Sequence, residues 1–448
     1  MPSRNVELHA KYGPIVRIGP NHVSLSDPEA LRAIYSTKSV FTKTAFYTLA
    51  QSTYEGKTLQ NLFSTSDIKY HASLKRATAR IYSMTALTEL EPHVDVCVDL
   101  FVSRIKQIMT PNPVALDVSA WVQYFAFDVL GEVNFSRRLG FLETGSDVDG
   151  MIHVADEMLR YVSLVGQMPS LDKLLLGNPI LALVSRNSEE SNQVLQFALK
   201  MIHERQQSSE KHNDILSRLL ETHEASPEKL SFREIIAVTS INIIAGHDTL
   251  AINLRSVLYY LCRNPNPYRT LRDEIDEAVN AGKINSKPVT YAEAISLPYL
   301  SAVVSESMRI HPTTGFILER HVPEGGAILC GIDLPANTIV GVNAWAIQRN
   351  KDIFGEDVDE FRPERWIESP PEQIKEMQRN LFVFGAGARG CLGRNIALMQ
   401  ILKLIAELFR HFDIELADPN KRWHVEGTWI TKQTGMDMVF LDRRTRES

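Results

Sequence analysis

Phe384-Gly385-Ala386-Gly387-Ala388-Arg389-Gly390-Cys391-Leu392-Gly393 is the stretch that decides how this chain is read. A cysteine set among glycines and alanines has its backbone open on every side, so a flat group can approach closely. The residues before it, Asn380-Leu381-Phe382-Val383-Phe384, are apolar and loop-like. Those after it, from Arg394 to Phe412, place Ile396, Met399, Ile401, Leu402, Leu404, Ile405 and Leu408 at helical spacing. Cys391 therefore stands just ahead of a helix N-terminus, where backbone N–H groups and the helix dipole favour a thiolate. A soft anionic sulfur in a dry, glycine-walled turn suits an axial ligand for haem iron.

The string fits F-x-x-G-x-R-x-C-x-G and so resembles the haem-ligand loop of the cytochrome P450 family. The resemblance implies a mainly α fold with small β-sheets, and a haem between a long central helix and the Cys loop. It implies a haem-thiolate monooxygenase with haem b (iron protoporphyrin IX), Cys391 as the metal ligand, and Phe384, Gly385, Gly387 and Gly393 beside the cofactor.

The chain has 448 residues and a net charge of −6, which argues against a general nucleic-acid binder. No Gly/Ser-rich linker, repeat or low-complexity tract interrupts it, so a single domain over 1–448 is expected. Four cysteines (Cys97, Cys262, Cys330, Cys391) at irregular spacing give neither a disulfide framework nor a zinc pattern, and imply a reducing compartment. No uninterrupted apolar run reaches the roughly 18 residues of a membrane span. In fungal members an N-terminal anchor normally precedes a segment like Lys11-Tyr12-Gly13-Pro14. Either that anchor is missing from this chain, with the full protein on the cytosolic face of the endoplasmic reticulum, or the enzyme is soluble.

Ile15–Ile18 and His22–Leu25 around Gly19-Pro20-Asn21 read as a β-hairpin, and Asp27-Pro28 as a helix start. Helical periodicity dominates from about 67 to 320, with loops near 110–116, 144–149 and 176–178. Short β runs follow between 323 and 343, then a Pro- and Asp-rich meander over 350–385, and a β turn around Trp429 to Gly435.

The strongest helical segment, Phe232 to Cys262, contains Ala245-Gly246-His247-Asp248-Thr249. A mid-helix glycine costs about 1 kcal/mol against alanine. Close approach of a flat ring, or a hydroxyl inserting into an opened turn, gives it a reason. The segment resembles the family's oxygen-activation motif, which implies that Thr249 hydrogen-bonds the dioxygen and Asp248 helps deliver protons, with Ala245 and Gly246 against the cofactor. The alternative is an ordinary helix whose Thr bonds back to a carbonyl. His247 reads as a structural polar contact. Asn242 lies on the face of Ala245, Gly246 and Thr249. Its amide either touches the substrate, bridges two helices or holds a water.

Glu306-x-x-Arg309 and Pro363-Glu364-Arg365-Trp366 resemble the family's E-x-x-R and P-E-R-W elements, which implies a Glu306–Arg309–Arg365 network locking the meander to a helix. Cations should converge on the haem propionates: Arg389, Arg320 and, where the family has W-x-x-x-R, His71 with either Lys75 or Arg76. Lys69, Lys75, Arg76, Arg80 and Arg394 suit docking of an acidic reductase.

These features predict a monooxygenase fed by NADPH electrons through a separate NADPH–cytochrome P450 reductase. Lys11-Tyr12-Gly13-Pro14-Ile15-Val16-Arg17-Ile18-Gly19-Pro20-Asn21, with Tyr82-Ser83-Met84, resembles the fungal group that includes pisatin demethylase, which implies hydroxylation or O-demethylation of a hydrophobic small molecule in secondary metabolism. Substrate contacts are expected from the loops near 42–66, from Asn242 to Thr249, from Thr313 to Leu318 (Thr313 and Phe316) and from Trp429 to Thr431 (Ile430). Two rivals stand beside this reading. One is haem-thiolate chemistry of another kind, such as nitric-oxide reduction, peroxide-driven oxidation, isomerisation, dehydration or ring coupling. The other is a non-catalytic haem sensor.

Overall fold

A computed structural model describes residues 2–175 and 192–443. The loop expected near 176–178 lies outside them. Five strands form the largest sheet: β1 (Ile15–Gly19), β2 (His22–Leu25), β3 (Thr42–Lys43), β4 (Arg320–His321) and β5 (Ile339–Val342). Their spatial order is β1-β2-β5-β4-β3. β1 and β2 form the expected antiparallel hairpin, and β5 joins β2 in parallel. β3 pairs with β4 so that Lys43 lies opposite Arg320. Asp27 caps the next helix by accepting from the Ala30 N–H, with Pro28 at the first position.

The core is helical. α1 (Ile68–Thr78), α2 (Val118–Phe135), α3 (Met151–Val165), α4 (Phe232–Gly246), α5 (Asp248–Arg263), α6 (Pro298–Ile310) and α7 (Arg394–His411) surround the site. α2 buries residues on every side, among them Val122, Phe125, Ala126, Val129 and Val133, as a helix apolar all round must. α4 starts at a capping box in which Ser231 and Glu234 satisfy each other's backbone N–H groups. The span Phe232–Arg263 is long and apolar enough to cross a membrane, but 67% of its apolar window is buried inside the fold. A search for uninterrupted apolar runs passes over it, because Arg233, Glu234, His247, Asp248 and Arg255 break the run.

That span is not one continuous helix. It breaks at His247, whose ring stacks on Phe127 of α2 with centroids 4.2 Å apart. The meander also holds more structure than expected: short helices at Lys351–Phe354, Arg365–Glu368 and Pro371–Asn380, each begun by a capping Asn or by a proline in the first turn or just before it.

Glu306 ties α6 to this meander. Arg309 donates to both Glu306 oxygens at 2.8 Å, and Arg365 Nε donates to Oε1 at 3.0 Å. Trp366 Nε1 and the Arg362 N–H complete the shell at 2.9 and 3.0 Å. Arg309 reaches on to the carbonyls of Gln348, Val358 and Glu360. Burial alone would raise the Glu306 carboxyl, but Arg309, Arg365 and the Arg362 N–H outweigh it and hold it below its usual range. A depressed carboxyl stabilises the fold above the unfolded value and loses that contribution as pH falls through the folded value. Stability is therefore expected to fall steeply below about pH 4. Glu306→Ala, which strands two buried guanidinium groups, should cost about 3–5 kcal/mol. Thermal unfolding against pH checks both.

Candidate functional site

The Glu306 network reaches the cysteine through Gln348. Its Nε2 donates to the carbonyls of Met308 and Arg309, and its Oε1 accepts the Phe382 N–H at 2.8 Å. Phe382 accepts the Gly385 N–H, and Phe384 accepts the Cys391 N–H at 2.7 Å. Gly385 has φ +63° and ψ −167°, a conformation open to glycine alone. Gly387 has another purpose: a Cβ there would lie 1.8 Å from the Tyr35 carbonyl oxygen. It lets the loop press on the turn after the Pro28–Ile34 helix, and does not line the cavity. That corrects its placement beside a cofactor.

Cys391 lies deep in the protein yet is exposed, because it faces a cavity of ≈ 680 Å³. Phe384, Gly385, Gly393 and Ile396 surround it. Burial pushes the thiol up, against the Gly393 and Arg394 N–H groups and the charges of Arg394 and Lys75. The N–H groups at the helix start do favour the thiolate, but desolvation outweighs them in the protein alone. Coordination by a metal reverses that, since a coordinated thiol is deprotonated outright.

Ala245, Gly246 and Thr249 form part of the cavity wall contributed by α4 and α5, and Ala245 and Gly246 are exposed in the middle of the molecule. Thr249 Oγ1 donates to the Ala245 carbonyl at 2.9 Å, the back-bonded geometry. A Cβ on Gly246 would meet Leu130 Cδ1 at 2.8 Å, so that glycine also lets α2 pack closely. Asp248 points away from the open face into a buried group: Gln123 Nε2 donates to it at 2.9 Å, and Lys432 Nζ lies 3.5 Å away. Burial would raise its carboxyl. The His247 contact and the charges of Lys432 and Arg255 outweigh that and hold it well below the usual carboxylate range.

The cavity wall also carries Lys43, His71, Lys75, Arg320 and Arg389. Among the described residues the four Lys and Arg side chains bond only neutral oxygens. Lys43 meets the Phe63 carbonyl, and Lys75 the Ala388 carbonyl at 2.6 Å. Arg320 meets Tyr47 Oη at 3.1 Å and the Glu319 carbonyl, and Arg389 the Thr65 carbonyl at 2.9 Å. Burial, then the charges of Arg389, Lys43, Lys75 and Arg320, push His71 down to about 3. Burial and the neighbouring arginines likewise lower Lys43 far below its usual value. Cations crowded so closely call for an anion of more than one charge. On α1, Lys75 lines the cavity and Arg76 is exposed.

Lys43 and Tyr47 escaped the sequence reading. Their signal was one lysine in the otherwise uncharged run Val40-Phe41-Thr42-Lys43-Thr44-Ala45-Phe46-Tyr47. Of the expected substrate contacts, Thr313 and Ile430 line the cavity. Phe316 does not; it packs against Phe46, Tyr47 and Val162. Asn242 lines it too, but its amide bridges helices, donating to Tyr82 Oη at 2.7 Å and Asn134 Oδ1 at 2.9 Å. Asn134 gives its own N–H to Leu130, so the orientation of both amides is fixed.

A flat dicarboxylate approached from one side by sulfur would find its needs met here, which is the requirement of a haem-thiolate enzyme. The sequence matches the family Cytochrome P450 over residues 1–438, and the chain belongs to it. It is 38% identical to the cytochrome P450 monooxygenase cicH of Emericella nidulans over 432 residues, 95% of this chain and 86% of that protein. A cytochrome P450 monooxygenase of Aspergillus terreus is 39% identical over 416 residues, 91% of this chain and 84% of that protein. The gsfF monooxygenase of Penicillium aethiopicum is 34% identical over 450 residues, 98% of this chain and 88% of that protein. The protein is thus a haem-thiolate monooxygenase, using haem b with O₂ and NADPH-derived electrons supplied through a reductase. Lys43→Met removes a buried amine crowded by Arg320 and Arg389, and should raise the thermal midpoint of the haem-free protein by about 2 °C.

Proposed function

We propose that Cys391 is the iron ligand, that Lys43, His71, Lys75, Arg320 and Arg389 hold the haem propionates, and that Thr249 and Asp248 serve oxygen activation. The observation carrying this is the meeting, in one cavity, of a cavity-facing sulfur with a cation cluster that has no carboxylate partner among the described residues. When bound, haem b supplies the activation of O₂ and the oxidation of a C–H bond. The chain's part is to position and to move protons. Thr249 Oγ, bonded to the Ala245 carbonyl, is a hydroxyl of the cavity wall. By rotating about χ1 it exchanges that carbonyl for an acceptor in the cavity. Asp248, one residue before it, is the carboxylate that replenishes the hydroxyl through water.

The rest of the cavity wall is mostly apolar, with Phe46, Phe63, Met158, Ile244, Trp429 and Ile430 around a few hydroxyls and amides. This supports a hydrophobic aromatic or terpenoid substrate bearing few oxygens, hydroxylated or O-demethylated in secondary metabolism. Members of the family need a redox partner. The exposed Lys69, Arg76, Arg80 and Arg394 support docking of an NADPH–cytochrome P450 reductase with an acidic face. Fungal members are commonly associated with the endoplasmic reticulum, and the same reading puts this enzyme on its cytosolic side. The 448 residues then work as one domain.

The test combines spin-state screening of aromatic and terpenoid metabolites with product analysis under isotopically labelled dioxygen. Product must carry the label and require reductase, NADPH and O₂ together; turnover with peroxide alone, or without any oxidant, contradicts the reading. Thr249→Ala and Asp248→Asn should each cut product formation roughly 100-fold. Lys43→Met should lower haem retention, the opposite sign to its effect on the haem-free protein.

A further inference from the structure

Asp248 poses a problem for any role in proton delivery. A carboxylate held this firmly anionic carries no proton near neutral pH, so something must set when it takes one up. The groups facing it come from four elements. Gln123 of α2 donates to it, and itself accepts from Arg255 Nη2 at 2.8 Å. Arg255 of α5 is spent mainly on the Ser119 carbonyl, at 2.6 and 3.0 Å. Gln123 Nε2 also meets His247 Nδ1 at 3.0 Å, and that nitrogen lies 3.4 Å from Asp248 Oδ1. From the strand Thr431–Thr434, the Lys432 ammonium reaches to within 3.5 Å of the same oxygen.

Lys432 is shared. Its Nζ lies 2.5 Å from Asp156 Oδ1, closer than to Asp248. Asp156 belongs to α3, whose Val154, Ala155, Met158 and Leu159 line the cavity. Exposure grades outward along the three side chains, from 4% at Asp248 to 12% at Lys432 and 27% at Asp156.

We propose that Lys432 is a positioning residue whose charge is divided between Asp248 and Asp156, and that this division ties proton uptake at Asp248 to the helix that walls the cavity. The inference rests on the reading of Asp248 given above. Anything that draws Asp156 toward Lys432 frees Asp248, and anything that draws it away fastens Asp248. Two neutralising substitutions in the same ion pair therefore act in opposite directions, which loss of a structural contact does not do.

The holoenzyme, reconstituted with reductase and NADPH and given no substrate, returns electrons from O₂ reduction as hydrogen peroxide or as water. Peroxide takes fewer protons, so the pH at which the split changes over reads proton supply. Lys432→Met should move that midpoint upward and lower the peroxide share several-fold at neutral pH. Asp156→Asn, which leaves Lys432 to Asp248 alone, should move it downward and raise the share several-fold. Lys432→Arg, which keeps the charge, should stay near the parent. Shifts in the same direction, or none, overturn the proposal. Should Lys432→Met fail to hold haem, the surface-proximal Asp156→Asn still decides it: no downward shift sinks the proposal. Asp248→Asn keeping the parental pH profile would instead overturn the reading of Asp248 itself.

Discussion

A carboxylate in a dry interior persists only when its oxygens are filled by donors, and Glu306 is filled completely. Two guanidinium groups, an indole N–H and a backbone N–H converge on it, with Glu306, Arg309 and Arg365 wholly buried. The position of the reactive sulfur depends on this. α6 carries Glu306 and Arg309; Arg309 grips the meander; Gln348 passes the constraint to Phe382; and Phe384 holds the Cys391 N–H. Each link is a hydrogen bond in a buried or half-buried setting, where an unfilled partner costs about 1–3 kcal/mol. Rigidity at the loop thus originates in an ion network in a different part of the chain.

The cation cluster in the cavity wall shows the reverse economy of charge. There four Lys and Arg side chains gather with His71 and, among the described residues, meet carbonyls, a hydroxyl and aromatic rings but no carboxylate. Protein interiors seldom tolerate that without an anion from elsewhere. Lys43 opposite Arg320 across a two-stranded pair is the sharpest case, since like charges at such positions repel. Stability of the haem-free protein is sacrificed for affinity toward a dicarboxylate. The fold therefore carries its specificity for the cofactor in two incomplete groups, a sulfur and a cation cluster.

Much of this was legible in the sequence because it is local. The cysteine loop, Glu306-x-x-Arg309, the hairpin at Gly19-Pro20-Asn21 and the cap at Asp27-Pro28 each act within a few residues. What escaped is set by tertiary approach. Gly387 looks like a cofactor contact in sequence, yet its missing side chain makes room for the Tyr35 carbonyl. Asn242 faces the cavity by helical spacing, but Tyr82 and Asn134 claim its amide first. Phe316 lies in the expected loop but packs against the cluster of Phe46, Tyr47 and Val162. Lys432 and Asp156 give no local sign of their link to Asp248, because the three are distant in the chain. The break at His247 arises in the same way, from a stacking partner on another helix.

The central claim is that the sulfur of Cys391 is the ligand that anchors and tunes the haem iron. Absorption of the reduced holoprotein under carbon monoxide tests it most directly. The account predicts the long-wavelength Soret band of a thiolate-ligated haem, lost in Cys391→Ser. A short-wavelength band typical of a nitrogen- or oxygen-ligated haem in the parent protein, or an unchanged spectrum in Cys391→Ser, would contradict it.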